Sequence, residues 1–181
     1  MNKKILCVFV SLFILVLLTI PVLGAPATKI EGVTLTTAVA LIPDDTTIFA
    51  DHNIRHGDGT AAGTATLTIP EQDSLHFDYY GVWNGTSKWT NPPNPDSDAT
   101  NIIRSTVVLT CTDEGITGTF EGMSHSKTIG LPPPPFPTSP TSYIEYNMVF
   151  HGTGDFQGQT LKLSYAGAPP VDLEGCLIKP K

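Results

Sequence analysis

After the first thirty positions, apolar and polar residues alternate one for one through much of this chain, and a side-chain period of two can bury one face only as a β-strand. Leu75, Phe77 and Tyr79 alternate with His76, Asp78 and Tyr80, and Ile144, Tyr146, Met148 and Phe150 alternate with Tyr143, Glu145, Asn147 and Val149. No long segment carries the helical period of 3.6. Strand signals recur near 33–41, 47–55, 63–69, 74–83, 103–112, 115–124, 142–151, 159–165 and 172–178. That spacing predicts an all-β domain, an antiparallel barrel of about eight to ten strands, with a β-sandwich as the alternative.

Ahead of this pattern stands a different kind of sequence. Met1 to Gly24 begins with Lys3 and Lys4, continues as an almost wholly apolar run from Ile5 to Leu23, and ends in Val22-Leu23-Gly24. A cationic start, an apolar stretch and a small-residue end predict a secretory signal peptide cleaved after Gly24, with Pro21 breaking the helix before the cleavage site. A retained membrane anchor is the alternative, since the apolar run approaches the length of a bilayer span. Both readings place 25–181 outside the cytoplasm as one domain, secreted or on the outer face of the cell envelope, with a membrane role only for the N-terminal segment. Cys7 lies too early in the leader for lipid attachment.

The chain has a formal net charge of −7, and loss of Lys3 and Lys4 makes the remainder more acidic. No basic cluster interleaves with aromatics, so nucleic acid is excluded as a partner. Cys111 and Cys176, each in a strand-like run among apolar neighbours, are expected on the buried face, where an oxidising compartment would allow a disulfide between them. Two reduced core thiols are the alternative, because spacing does not reveal adjacency.

Glycine punctuates the strands. Thr117-Gly-Thr-Phe-Glu-Gly-Met123 aligns without a gap on Thr153-Gly-Asp-Phe-Gln-Gly-Gln159, and His56 to Gly63 aligns on His151 to Gly158. Glycine supplies positive φ at corners and bulges, and an aromatic between two glycines can fold back over the end of a barrel or sandwich. The stretch Gly152-Thr-Gly-Asp-Phe-Gln-Gly158 resembles the Gly-[Ser/Thr]-Gly-x-Phe-x-Gly hairpin of the barrel families that include allene oxide cyclases and dirigent proteins. The resemblance implies a closed antiparallel barrel with a central cavity, in families acting on small apolar or phenolic compounds. It covers one hairpin, so no catalytic residue is carried over. Gly81-x-Trp83 is similar to the lipocalin start motif of calycin-like barrels, although it falls in the middle of the chain.

Few motifs point to catalysis. Gly122-Met-Ser-His-Ser126 has part of a nucleophile elbow but lacks the final glycine and the strand-turn-helix setting. His52 and His56 are too far apart on a strand to chelate one ion, while His76 and Asp78 share a strand face but lack a third ligand. Candidate ligand contacts are Tyr79, Trp83 and Trp89, whose rings could stack on a sugar or flat ligand or simply close a barrel end. Asn94, Asp96, Asp98 and Thr100 alternate in a loop with the oxygen spacing of a calcium site but without the distal glutamate, so calcium is the cofactor this sequence allows. Asn84-Gly85-Thr86 is an N-glycosylation sequon. Leu131 to Pro137 is a polyproline II connector, and Thr64, Thr66 and Thr68 form a threonine ladder.

Taken together, these features predict an exported, non-catalytic β domain that binds a small apolar or carbohydrate ligand or serves structurally in the cell envelope. The alternative is a small barrel enzyme of isomerase or cyclase type, which requires a carboxylate such as Asp78, Glu121 or Glu145 inside the lumen.

Overall fold

The computed structural model describes residues 26–48, 54–89, 99–129, 143–167 and 172–180. Eight antiparallel strands form one sheet that closes on itself in chain order: β1 (Thr28–Ile48), β2 (Ile54–Thr68), β3 (Leu75–Trp89), β4 (Ala99–Cys111), β5 (Thr119–Ile129), β6 (Tyr143–Gly152), β7 (Thr160–Gly167) and β8 (Leu173–Lys179). Each strand pairs with the next, and β8 returns to β1, so the fold is the expected barrel. The segment 47–55 is not a strand of its own. Thr47 and Ile48 end β1, Arg55 and His56 lie opposite them on β2, and a run of strand-forming residues does not mark where the hairpin bends.

Strand length falls steadily around the ring, from 21 residues in β1 to 7 in β8. β8 pairs with β1 only as far as Leu35, whereas β1 continues alongside β2 to Ile48. The wall is therefore tall at β1 and β2 and low at β7 and β8. Short turns at 69–74, 112–118 and 153–159 gather at one end. The connections at the other end lie outside the described residues, and with them Asn94, Asp96 and Asp98 of the calcium loop, His52 and the polyproline segment.

Inward positions stack in layers around the barrel. In one layer Tyr79, Leu109 and Phe120 lie beside Gly63 and Gly152, and in the next Phe150, Leu161, Leu177 and Val107 lie beside Gly81 and Gly122. Large side chains fill the space that glycines on neighbouring strands leave, as a narrow barrel requires. Phe77, Phe120, Phe150, Leu35, Leu67 and Leu109 are fully buried. At Gly63 and Gly122 the opposite strand comes so close that a Cβ would overlap the carbonyl oxygens of Ala38 and Val149, respectively. Those glycines let the strands coil tightly enough to close the ring.

The disulfide expected between Cys111 and Cys176 is not formed: both thiols are free. Their strands, β4 and β8, stand on opposite sides of an eight-membered ring. Cys111 packs against the core, but Cys176 does not, because Leu173 and Leu177 take the inward positions of β8 and leave Cys176 on the outer face under neighbouring side chains. Its expected inward orientation was off by one residue, which on a strand reverses the face.

Candidate ligand site at the capped end

The end of the barrel that carries the short turns is closed by its own glycine-rich segments. A single 3₁₀ turn at Gly154–Phe156 folds Phe156 inward, where it stacks on Phe120 with ring centroids 4.7 Å apart and meets Phe77 at 5.9 Å. The two echoed segments pack against each other. The Asp155 N–H donates to the Thr117 carbonyl at 2.8 Å, the Thr153 N–H donates to that of Thr119 at 2.9 Å, and the Thr119 and Thr153 hydroxyls are 2.7 Å apart. Asp155 completes the clasp by accepting from the Thr117 N–H at 2.7 Å. Gly154 holds φ at 57°, and Gly118 leaves the room that the Phe156 ring occupies. The expectation that an aromatic between two glycines folds over the barrel end is met at Phe156, whereas Phe120 is an inward residue of β5 on which it rests. The third echo, around Gly59, lies within β2 and plays no part in this cap.

Above this aromatic floor lies an open pocket of about 460 Å³. Leu67, Leu75, Ile116, Phe120, Phe156 and Leu177 give it an apolar lining, and Gln72, Gln159, Asp155 and Lys179 supply polar groups. The Asp155 carboxylate is engaged by Thr117, whereas Lys179 makes no ion pair among the described residues. Its volume is that of a small-molecule site, and its exposed lining is mixed, apolar and polar in about equal share. A larger depression of about 680 Å³ lies on the outer wall, lined by Glu145, Asn147, Ser164, Asp172 and Glu174 among others. It is mainly polar and lacks an apolar floor, so the capped-end pocket is the better candidate for an apolar ligand.

Lumen chemistry changes along the barrel. Toward the end opposite the cap the inward residues become polar: Asn101, Ser124, Ser126 and Thr128 are all buried. Ser126 hydrogen-bonds Tyr146, whose pKa is raised by burial and partly offset by that bond. Burial pushes Tyr79 up to about 12, with Tyr146 adding to the shift. Trp83 lies inside as well, its Nε1 donating to the Thr60 carbonyl at 3.0 Å. Tyr79 and Trp83 are thus core residues of the lumen wall and not part of the capped-end pocket. Trp89 ends β3, and its side chain lies outside the described set.

Asp78 and Glu121 are exposed on the outer face, and Glu145 lines the outer depression. None of the three occupies the lumen position that the enzyme alternative requires. Ser124 points inward and His125 outward, so the Gly122-to-Ser126 stretch brings no serine and histidine together. His76 takes Asp113 as its partner and not Asp78: its Nδ1 is 2.9 Å from Asp113 Oδ1, and its N–H donates to Asp113 Oδ2 at 2.9 Å. These bonds, the backbone one foremost, hold the Asp113 carboxyl below the usual range. Thr100 lies in β4 opposite Lys88 and Ile129, and no group of three or more potential metal ligands occurs among the described residues. Asn84 is exposed on β3, while Thr64, Thr66 and Thr68 form the expected ladder, with Thr66 and Thr68 opposite Thr36 and Thr34.

Sequence reasoning did not identify the pocket, because its lining comes from β2, β3, β5, β8 and three turns. The aromatic-between-glycines pattern at Phe120 and Phe156 was the signal closest to it. No protein-family model matches the chain, and no curated protein or solved structure matches it either.

Proposed function

We propose that this chain is an exported, non-catalytic binding domain that holds a small apolar ligand in the pocket at the capped end of the barrel. The observation that carries this reading is the open pocket of about 460 Å³ over the Phe120–Phe156 stack, with a mixed apolar and polar lining and a Lys179 ammonium that forms no ion pair among the described residues. A ligand with an apolar body and a hydrogen-bond acceptor at one end suits that lining. The outward placement of Asp78, Glu121 and Glu145 favours binding over acid–base chemistry.

Methyl NMR during titration with 1-decanol tests the reading. The expected result is saturable shifts at Leu67, Leu75, Ile116 and Leu177, abolished by Ile116→Arg. Shifts confined to the outward methyls of Val82 and Val149, or no shifts, would overturn it.

A further inference from the structure

The outer wall of β3 to β6 carries a second feature that a ligand pocket does not explain. The strand registers place outward residues in a grid. Val82, Thr106, Met123 and Val149 stand side by side in one row, and Tyr80, Val108, Glu121 and His151 in the next. Tyr80, Val82, Met123 and Val149 are 52%, 54%, 65% and 42% exposed, respectively, so the middle of this face is apolar and uncovered. On one side it is bordered by Asn84, Arg104, His125 and Asn147, and on the other by Asp78, Thr110 and Thr119.

The apolar zone is at most two rows tall, about 7 Å at the strand rise, and on β5 and β6 only one, since Glu121 and His151 hold the second row, whereas a membrane-spanning barrel needs an apolar band about 25 Å tall. Lipid therefore does not explain it. The charges flanking it divide by sign along the strands. Arg104 lies on one side and Asp78 on the other, with Glu121 beside His151 at the Asp78 edge of the zone and no ion pair involving Arg104 or Glu121 among the described residues. On a chain of net charge −7, this face brings together groups of both signs that form no ion pair among the described residues, Glu121 accepting only from the Thr119 hydroxyl.

We propose that this face is a homodimer interface in which a second copy packs with its strands running the opposite way, related by a two-fold axis along the row of Val82, Met123 and Val149. The operation sets each of those residues against its own equivalent and brings Glu121 of one copy opposite His125 and beside Arg104 of the other. A two-fold axis along the strands between β4 and β5 would instead set Arg104 against His125 and Glu121 against Val108, leaving neither charge opposed, so electrostatics selects the antiparallel arrangement. Four strands at about 4.8 Å spacing make a small patch, so the dimer is weak and forms at micromolar or higher concentration.

Sedimentation velocity across about 1 to 300 µM tests this on the chain as a secreting host produces it. The wild type is expected to shift from monomer to dimer. Met123→Glu should raise the dimer dissociation constant at least about tenfold, as should Arg104→Glu alone and Glu121→Arg alone, while the double variant Arg104→Glu/Glu121→Arg should return to within about threefold of wild type. Circular dichroism would establish that each variant keeps the β spectrum. A wild type that stays monomeric throughout overturns the proposal. So does association that Met123→Glu leaves unchanged, the expected outcome if residues 1–25 drive it, and so does a double variant no better than its parents.

Discussion

Tyr79 and Tyr146 lie inside the barrel, and burial holds both phenols in the neutral form. Because the folded state keeps the Tyr79 proton up to about 12, above the ordinary tyrosine value near 10, folding stability falls as pH rises through that interval. Urea midpoints measured between pH 9 and 12 should decline, and the decline should be shallower in Tyr79→Phe. Asp113 has the opposite sign. Its pKa is lowered by the bonds from His76, so its contribution is present above the unfolded value near 4 and is lost as pH falls through the lower folded value. Asp113→Ala should lower the urea midpoint at pH 6 and bring it closer to wild type below pH 3. The pairing was not legible in the sequence, since His76 and Asp113 are 37 positions apart and Asp78 offered a nearer carboxylate.

At the level of elements, glycine and phenylalanine do complementary work. Phe156 covers the capped end and rests on Phe120, so Phe156→Ala should cost about 3–5 kcal/mol in urea unfolding and enlarge the pocket above it. Gly63→Ala would drive a Cβ into the Ala38 carbonyl and separate β1 from β2. Its stability should fall by about 1–3 kcal/mol, and hydrogen exchange should quicken first in those two strands. The glycine spacing and the repeat were readable from sequence. That the two copies would lock against each other was not, because strand pairing between β5 and β6 is what brings them together. On β5 the sequence even misleads: Ser124, Ser126 and Thr128 face inward while Met123 faces out, against the simple rule that apolar residues go inside.

For the molecule as a whole, closure of the ring decides what can meet. Cys111 and Cys176 occupy strands half a turn apart, so reducing agent should leave the melting temperature unchanged, and denatured protein lacking the leader should titrate with two thiols per chain. A single thiol or none would mean a bond that this fold does not provide for. The period-two alternation, the glycine-rich turns and the absence of helical periodicity determined an all-β chain of about eight to ten strands, because side-chain direction along a strand is a local property of the backbone. Whether those strands formed a ring or a sandwich, which residues lined the pocket and which apolar side chains faced outward depended on register and shear. Those are set by pairings between residues far apart in the chain, where a slip of one position reverses the face, and only the tertiary structure fixes them.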